Sequence, residues 1–249
     1  MKRFTKAIVA LMLTLTALFA AGCTKPEDPN GGNNVSGTYN GHTFVDLGLP
    51  SGTLWATCNV GADTPEDYGD YFAWGETMPK DYYDWSTYQY CTGGYYEYPF
   101  HNMFTKYCSK ILSGYNGFTD DLNILLPEDD AATANWGTGW RLPTEAEWWE
   151  LYYNTTGALT SQNGVYGLLF TAANGNSLFL PAAGWRHQGG LNYPSDDGLY
   201  WSSLLDRGYP EDARGFAFSF SFYTVSYYVG SGYRSGGRSV RAVHVGSQN

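Results

Sequence analysis

Three carboxylates lie close together at Glu145, Glu147 and Glu150, in the segment that begins with Thr144. Paired carboxylates act as general acid and base when they face a substrate together. In this segment, however, a threonine is followed three residues later by a glutamate, which is the capping box of a helix start. We therefore assign Glu147 to the cap, place the other two on a solvated helix face, and expect no catalytic residue among them.

Ser202 and Ser203 follow Trp201 and are the most prominent serine pair in the second half of the chain. A nucleophilic serine needs a base within hydrogen-bond reach, and α/β-hydrolases present it in a G-x-S-x-G turn. No such turn surrounds this pair, and the four histidines of the chain stand in no triad spacing. We accordingly expect a protein that is not an enzyme.

Acidic pairs at Asp196–Asp197 and Asp129–Asp130 are the only calcium candidates that we single out. Calcium prefers several carboxylate and carbonyl oxygens, which clustered aspartates in loops can supply. Most such pairs are solvated turns, so calcium is a weak candidate and no other metal or cofactor is expected.

The best recognition surface in the sequence runs from Trp185 to Asp197. It places a planar ring, a guanidinium and amide donors on a glycine-rich segment that we predict to be a loop, and loops on a rigid scaffold commonly carry binding. The ligand-binding candidates are Trp185, Arg186, His187, Tyr193, Asp196, Asp197 and Arg207, with Tyr209 at the border.

The N-terminus has the three zones of a secretory signal. Lys2, Arg3 and Lys6 precede an apolar run over 7–19, and small residues at 20–22 precede Cys23. The run is shorter than the roughly 20 residues of a membrane-spanning helix. The Ala-Ala-Gly-Cys sequence resembles a bacterial lipobox. We therefore expect residues 1–22 to be removed, Cys23 to be lipidated, and 23–38 to be a flexible tether.

Composition limits the partners and the fold. Without Lys2, Arg3 and Lys6, 11 basic residues face 24 acidic ones, so the mature chain has none of the basic footprint of nucleic-acid binding. Residues 39–249 suit one domain. The chain is 18% aromatic with 31 glycines, which indicates many short strands joined by turns.

One strong helix and many strands predict an α+β fold. The helix is expected from Glu145 to about Asn154, with Trp148, Leu151 and Tyr152 on its buried face. The expected strands are 43–47, 53–60, 71–74, 168–171, 177–181, 199–203, 215–220 and 238–243.

The stretch from Met78 to Leu126 is rich in tyrosine and has no clear periodicity. It is expected to be an insertion that packs through its aromatic rings, with one helical turn around 102–110. Cys58, Cys91 and Cys108 allow one disulfide at most, and Cys91 with Cys108 is the expected pair if one forms.

Several motifs in fixed order resemble the Fibrobacter succinogenes major paralogous domain, over Thr43 to Val245. They are 44–56 (FVDLGLPSGTLWA), 71–76 (YFAWGE), 140–144 (WRLPT), 180–184 (LPAAG), 200–203 (YWSS) and 239–241 (SVR). The resemblance implies a C-type-lectin-like fold of short twisted antiparallel sheets with extensive loops, related to the formylglycine-generating enzyme fold.

The same resemblance implies a surface lipoprotein of the outer membrane that faces the cell exterior. We expect a non-catalytic recognition or adhesion module that binds glycan or a protein partner and is held to the membrane by its lipid. A structural accessory or tip component of a surface assembly is the alternative. An enzyme of the formylglycine-generating type is a distant third, since those enzymes bind copper with a late cysteine pair and no cysteine follows Cys108.

Overall fold

The computed structural model describes residues 36–92, 102–221 and 224–245. The signal, Cys23 and nearly all of the tether lie outside these residues. The described strands and α-helices are, in chain order, β1 Gly37–Tyr39, β2 His42–Asp46, β3 Thr53–Ala56, β4 Tyr71–Phe72, α1 Ala131–Trp136, β5 Trp140–Arg141, α2 Glu145–Asn154, β6 Thr155–Gln162, β7 Val165–Ala172, β8 Ser177–Pro181, β9 Trp185–His187, β10 Gly190–Asn192, β11 Asp197–Leu205, β12 Asp212–Ser221, β13 Thr224–Tyr233, β14 Arg238–Ser239 and β15 Val243–Val245.

The first sheet joins the two ends of the described chain. Its order is β1-β2-β3-β15-β5, and all of its neighbours are antiparallel. Trp55 of β3 is opposite Val45 on one side and Val243 on the other. The first strand begins at Gly37, two residues before the expected start of the folded region.

The second sheet has the order β13-β12-β11-β14-β4. The expected strands 199–203 and 215–220 lie within β11 and β12, and these predictions are confirmed. Strand β11 meets β14 through one parallel pair, Tyr200 with Ser239.

The single strand expected at 238–243 is wrong. It divides into β14 and β15, which belong to different sheets. The break has a physical cause, because the carbonyls of Val240 and Ala242 accept from the amides of Val60 and Ala56. The Arg241 side chain between them is buried and donates to Asn59.

A three-stranded antiparallel sheet, β6-β7-β8, and a two-stranded hairpin, β9-β10, complete the strands. Strand dominates and two α-helices are present among the described residues, which is consistent with an α+β or mainly-β fold.

Helix α2 forms where the sequence predicts it. The Thr144 hydroxyl accepts from the Glu147 amide at 3.1 Å, and the Glu147 carboxylate accepts from the Thr144 amide at 2.7 Å. Trp148 and Leu151 are buried. The helix thus lays its apolar side against β11, β12 and β13, and its charged N-terminal turn stays near the surface.

Many of the aromatic residues form the core. Trp55 and Trp148 pack with ring centroids 4.8 Å apart. The indole nitrogen of Trp74 donates to the Ser202 carbonyl and that of Trp201 to the Phe72 carbonyl, each at 2.8 Å. The N–H of a buried tryptophan usually finds a hydrogen-bond partner, and the backbone supplies one to Trp74 and to Trp201.

The tyrosine-rich segment packs through its rings, as expected. The ring of Trp85 lies 5.7 Å from each of Tyr88 and Phe104, and both contacts are edge-to-face. The helical turn expected at 102–110 is absent from this part of the described chain. The amides of Asn102 and Met103 donate instead to the carbonyls of Leu112 and Ser113, so the segment closes as an irregular loop.

The disulfide expected between Cys91 and Cys108 is not formed, since both are thiols. Burial raises the pKa of both thiols, that of Cys91 to about 11. Cys58 is buried and disulfide-bonded.

Candidate functional site

The segment expected to be a glycine-rich loop begins as a β-hairpin. Strands β9 and β10 pair Trp185 with Asn192, Arg186 with Leu191 and His187 with Gly190. The turn between them is Gln188-Gly189, and Gln188 adopts a left-handed φ of 51°. The prediction of a loop was therefore wrong for these residues, because three-residue strands leave little alternation in the sequence.

Backbone hydrogen bonds attach the hairpin to its neighbours on two sides. Arg186 and Gly237 exchange both of their bonds, at 2.7 and 2.9 Å. Tyr83 and Gln188 do the same at 3.0 and 2.7 Å. Because main-chain groups make these contacts, the position of the hairpin does not depend on side-chain conformation.

The hairpin surface comprises Trp185, Arg186, His187, Leu191 and Tyr193. Trp185 is half-buried, with its ring 5.8 Å from that of His187, which is exposed. The guanidinium carbon of Arg186 lies 5.1 Å from the centre of the Tyr71 ring. Tyr193 is 62% exposed. Trp185 and His187 therefore share one face of β9, and Arg186 between them projects to the opposite face, over Tyr71.

Asp196 and Asp197 follow this surface directly in a turn. Both of their amides donate to the Tyr193 carbonyl, at 3.3 and 3.0 Å. The Asp196 carbonyl accepts from Phe220, and the Asp197 carbonyl accepts from Gly184. Asp196 is exposed and Asp197 is half-buried, so these two candidates do lie beside Tyr193.

Arg207 and Tyr209 lie elsewhere. Asp197 opens β11 and Leu205 closes it. At about 3.3 Å per residue, this strand separates its two ends by roughly 26 Å. The expectation that Arg207 and Tyr209 border the hairpin surface was therefore wrong, because the sequence did not reveal that one extended strand intervenes.

Arg207 lines a shallow charged depression of about 380 Å³ instead. Arg214 forms ion pairs there with Glu145 at 2.5 Å and Asp206 at 3.5 Å. Leu204 gives the depression one apolar edge. The two arginines of the depression balance its two carboxylates, so the depression does not favour an ion of either sign.

Asp129 and Asp130 already have protein partners. Asp129 accepts from Tyr90, Lys106 and Tyr107. Burial would raise the pKa of its carboxyl, but these hydrogen bonds outweigh burial and hold it below its usual value.

Asp130 caps α1, accepting from Thr133 at 3.0 Å, and its second oxygen accepts from the Leu142 amide at 2.8 Å. A cation would have to displace these donors at both aspartates. Over residues 36–92, 102–221 and 224–245, no group of three or more His, Cys, Asp or Glu side chains could hold a metal.

Each carboxylate of α2 is bound to other protein groups. Glu145 pairs with Arg214, and Glu147 receives two bonds from Arg141 at 2.8 and 2.6 Å. Glu150 accepts from the backbone amide and the hydroxyl of Ser51. Arg141 is therefore a structural ion-pair partner.

Sequence reasoning missed a second depression, of about 550 Å³, at the C-terminal end of α2. We call it the α2-end depression, and its lining is Tyr153, Asn154, Thr155, Thr156, Thr171, Ala172 and Ala173. The sequence carried one signal, the four-residue spacing of Trp149 and Tyr153, which stacks two rings on a helix. The threonines come from strands that the sequence does not visibly bring to this place.

Comparison with protein-family models, curated proteins and solved structures finds no match for this chain. Within the described residues, neither helix has the length and apolar character needed to cross a bilayer.

Proposed function

We propose that this chain is an exported, lipid-anchored recognition module that binds glycan without altering it. The observation that carries the proposal is the hairpin surface, where Trp185 and His187 share one face of β9 and exposed Tyr193 follows β10, on a backbone held by main-chain bonds. Rings stack on the C–H faces of sugars, and the imidazole group bonds hydroxyls.

Rigidity favours this role. A surface that is already ordered loses little conformational entropy when a ligand arrives. The two backbone pairs, with Gly237 and with Tyr83, fix β9 and the turn that follows it, and β10 pairs with β9. Glycans are polar ligands that bind weakly, so this smaller entropy loss makes a large difference to their affinity.

The finer fold proposed is the C-type-lectin-like fold of the Fibrobacter succinogenes major paralogous domain. Three features support it: the chain ends share one sheet, the sheets are short and antiparallel, and loops connect most elements. The Trp140-Arg141-Leu142-Pro143-Thr144 motif forms β5 and the cap of α2, which suits a motif that builds the scaffold.

A second candidate function, an accessory component of a surface assembly, is favoured by β13. This strand is outermost in its sheet and has ten residues, Thr224–Tyr233, without a charge or a proline. Edge strands usually carry a charged residue or a proline, which prevents pairing with other chains. Stoichiometric co-purification with one protein partner, lost in Tyr228→Lys but not in Trp185→Ala, would favour assembly over glycan binding.

The decisive experiment is a glycan-array screen of the mature chain from residue 23, with Cys23→Ser to keep it in solution, in calcium and in chelator. Trp185→Ala should weaken specific hits about 5- to 30-fold, since an aromatic anchor contributes about 1–2 kcal/mol. Tyr166→Ala, on β7 and 54% exposed in the wild type, is the matched control. Folded protein that binds no glycan in either condition would remove the glycan-binding proposal.

Membrane attachment is tested by the mass of the N-terminal peptide from the exported native chain. A diacylglyceryl thioether on Cys23 supports the anchor. An acylated Cys23 cannot also be the disulfide partner of Cys58, so finding that disulfide in the exported chain would contradict lipidation.

A further inference from the structure

The α2-end depression has an uncharged lining. Four hydroxyl or amide side chains and two alanines surround Tyr153, and Asp, Glu, Lys, Arg and His are absent among the residues that line it. Its volume of about 550 Å³ falls within the range of about 300–1,000 Å³ that small-molecule sites have. A ligand of neutral, hydroxyl-rich chemistry fits this lining better than an ion.

Tyr153 provides an ordered aromatic platform in this depression. Its ring is stacked on Trp149 with centroids 5.5 Å apart and planes at 17°, and Tyr152 meets it edge-on at 4.9 Å. The Tyr153 side chain is nevertheless 72% exposed. One face is covered by Trp149, so the exposed area belongs mainly to the other face, which is open to a ligand.

The polar part of the lining is held in place by neighbouring backbone. Thr156 and Thr171 are cross-strand partners on β6 and β7, and both are exposed. The Thr155 hydroxyl donates to the Leu151 carbonyl at 2.6 Å, and the Asn154 amide donates to the Glu150 carbonyl at 2.8 Å.

The turn that follows Ala173 is also fixed. The side-chain amides of Asn174 and Asn176 both donate to the Asp46 carbonyl, at 3.0 and 2.7 Å. Platform and walls therefore belong to different elements that are already locked together, as in a preformed binding site.

We propose that the α2-end depression is a second binding site, for a neutral sugar residue of a glycan. The C–H face of the sugar lies on the open face of Tyr153, and its hydroxyls bond Thr156 and Thr171. The inference rests on the proposed recognition function and extends it, because the lining residues belong to α2, β6, β7 and the turn after β7, and none of them belongs to the hairpin surface. A glycan long enough to reach both sites gains affinity through effective concentration.

The test uses the mature chain with Cys23→Ser on an array that holds neutral oligosaccharides and their uronic-acid or sialic-acid counterparts. Tyr153→Ala should weaken neutral hits about tenfold or more, and Tyr153→Phe, which keeps the ring, should retain them. Thr156→Val should weaken the same hits while leaving the thermal midpoint nearly unchanged. Tyr166→Ala is again the control for loss of an exposed tyrosine.

The outcomes separate this inference from the proposed function. If Trp185→Ala loses glycan binding while Tyr153→Ala binds fully, the second site is overturned and the hairpin site stays in place. If only Tyr153→Ala loses glycan binding, the second site is supported and the hairpin site is removed. A preference for acidic glycans in wild type that survives Tyr153→Ala also counts against the inference, because the lining has no cation to explain it.

Discussion

Near the end of the chain, Arg234 and Arg241 are buried and Arg238 is half-buried, and none of the three takes part in the ion pairs of the described residues. Arg241 donates to Asn59 and to the carbonyls of Ala56 and Thr57. Burial lowers the pKa of Arg238 and of Arg241 to about 10. Arg234 and Arg241 donate to backbone carbonyls, so they stabilise irregular segments instead of ligands.

Replacement of Arg241 by methionine tests this role. The variant keeps most of the volume but leaves buried carbonyls without donors, so the free energy of unfolding should fall by about 3 kcal/mol. Urea unfolding of both proteins measures the change. Arg207→Met is the control, and because Arg207 is exposed its change should stay within about 0.5 kcal/mol. Equal stability of the Arg241 variant would show that the donors are dispensable.

Asp212 should make stability depend on pH. Burial, with Glu211 and Asp206 nearby, raises the pKa of its carboxyl from 3.8 to about 6, against opposing effects of Ser231 and Arg238. The folded state therefore holds the proton more tightly than the unfolded state. The resulting stabilisation is complete below about pH 4 and is lost as the pH rises through about 6.

Asp212→Asn should abolish this dependence. Its thermal midpoint should exceed that of wild type at pH 7 to 8, and the difference should vanish near pH 4. Differential scanning calorimetry across this pH range measures both proteins. Asp81→Asn, at an exposed position, should follow wild type throughout. A constant difference at every pH would mean that the effect of the substitution is steric.

At the scale of elements, α2 depends most clearly on one residue. Glu147 is buried and contacts Thr144, Arg141 and Thr53, so it closes the cap and joins the helix to β3. Burial would raise the pKa of its carboxyl, yet the bonds from Arg141 and the other donors hold it low.

Glu147→Ala should lower the free energy of unfolding by about 3 kcal/mol, since it removes the cap and leaves Arg141 without its partner. Chemical denaturation of both proteins measures this change in the free energy of unfolding. Glu128→Ala, at an exposed glutamate, should change stability by less than about 0.5 kcal/mol. A similar small change in both variants would refute the importance of this cap.

The sequence predicted α2 to the residue because its signal is local: cap, glutamate and apolar stripe lie within ten residues. It failed for β9 and β10, because three-residue strands leave little alternation and the bonds that place the hairpin come from Gly237 and Tyr83, far away in the chain. The candidate site divides in the same way. Residues 185–197 came together because they are adjacent, whereas Arg207 was misplaced and the α2-end depression was missed, since both depend on strand direction.

At the scale of the molecule, the last described strand completes the sheet that the first three strands begin. Strand β15 lies between β3 and β5, so the last described residues hold the first sheet together. Val243 is fully buried, and the His244 ring stacks on Tyr39 at 4.2 Å. Strands β1 and β15 place both ends of the described chain in one sheet, and the hairpin surface belongs to the segment between them.

Deletion of residues 243–249 should therefore abolish cooperative unfolding, because it exposes the backbone of β3 and β5 and uncovers Trp55. Deletion of 246–249 alone is the matched control, since it spares every residue of β15. Thermal melts followed by near-ultraviolet circular dichroism distinguish the two, because buried tryptophans dominate that signal. The longer deletion should have no transition, and the shorter should melt within a few degrees of wild type. A cooperative melt in both would mean that β1, β2 and β3 pair stably without the strand between them and β5.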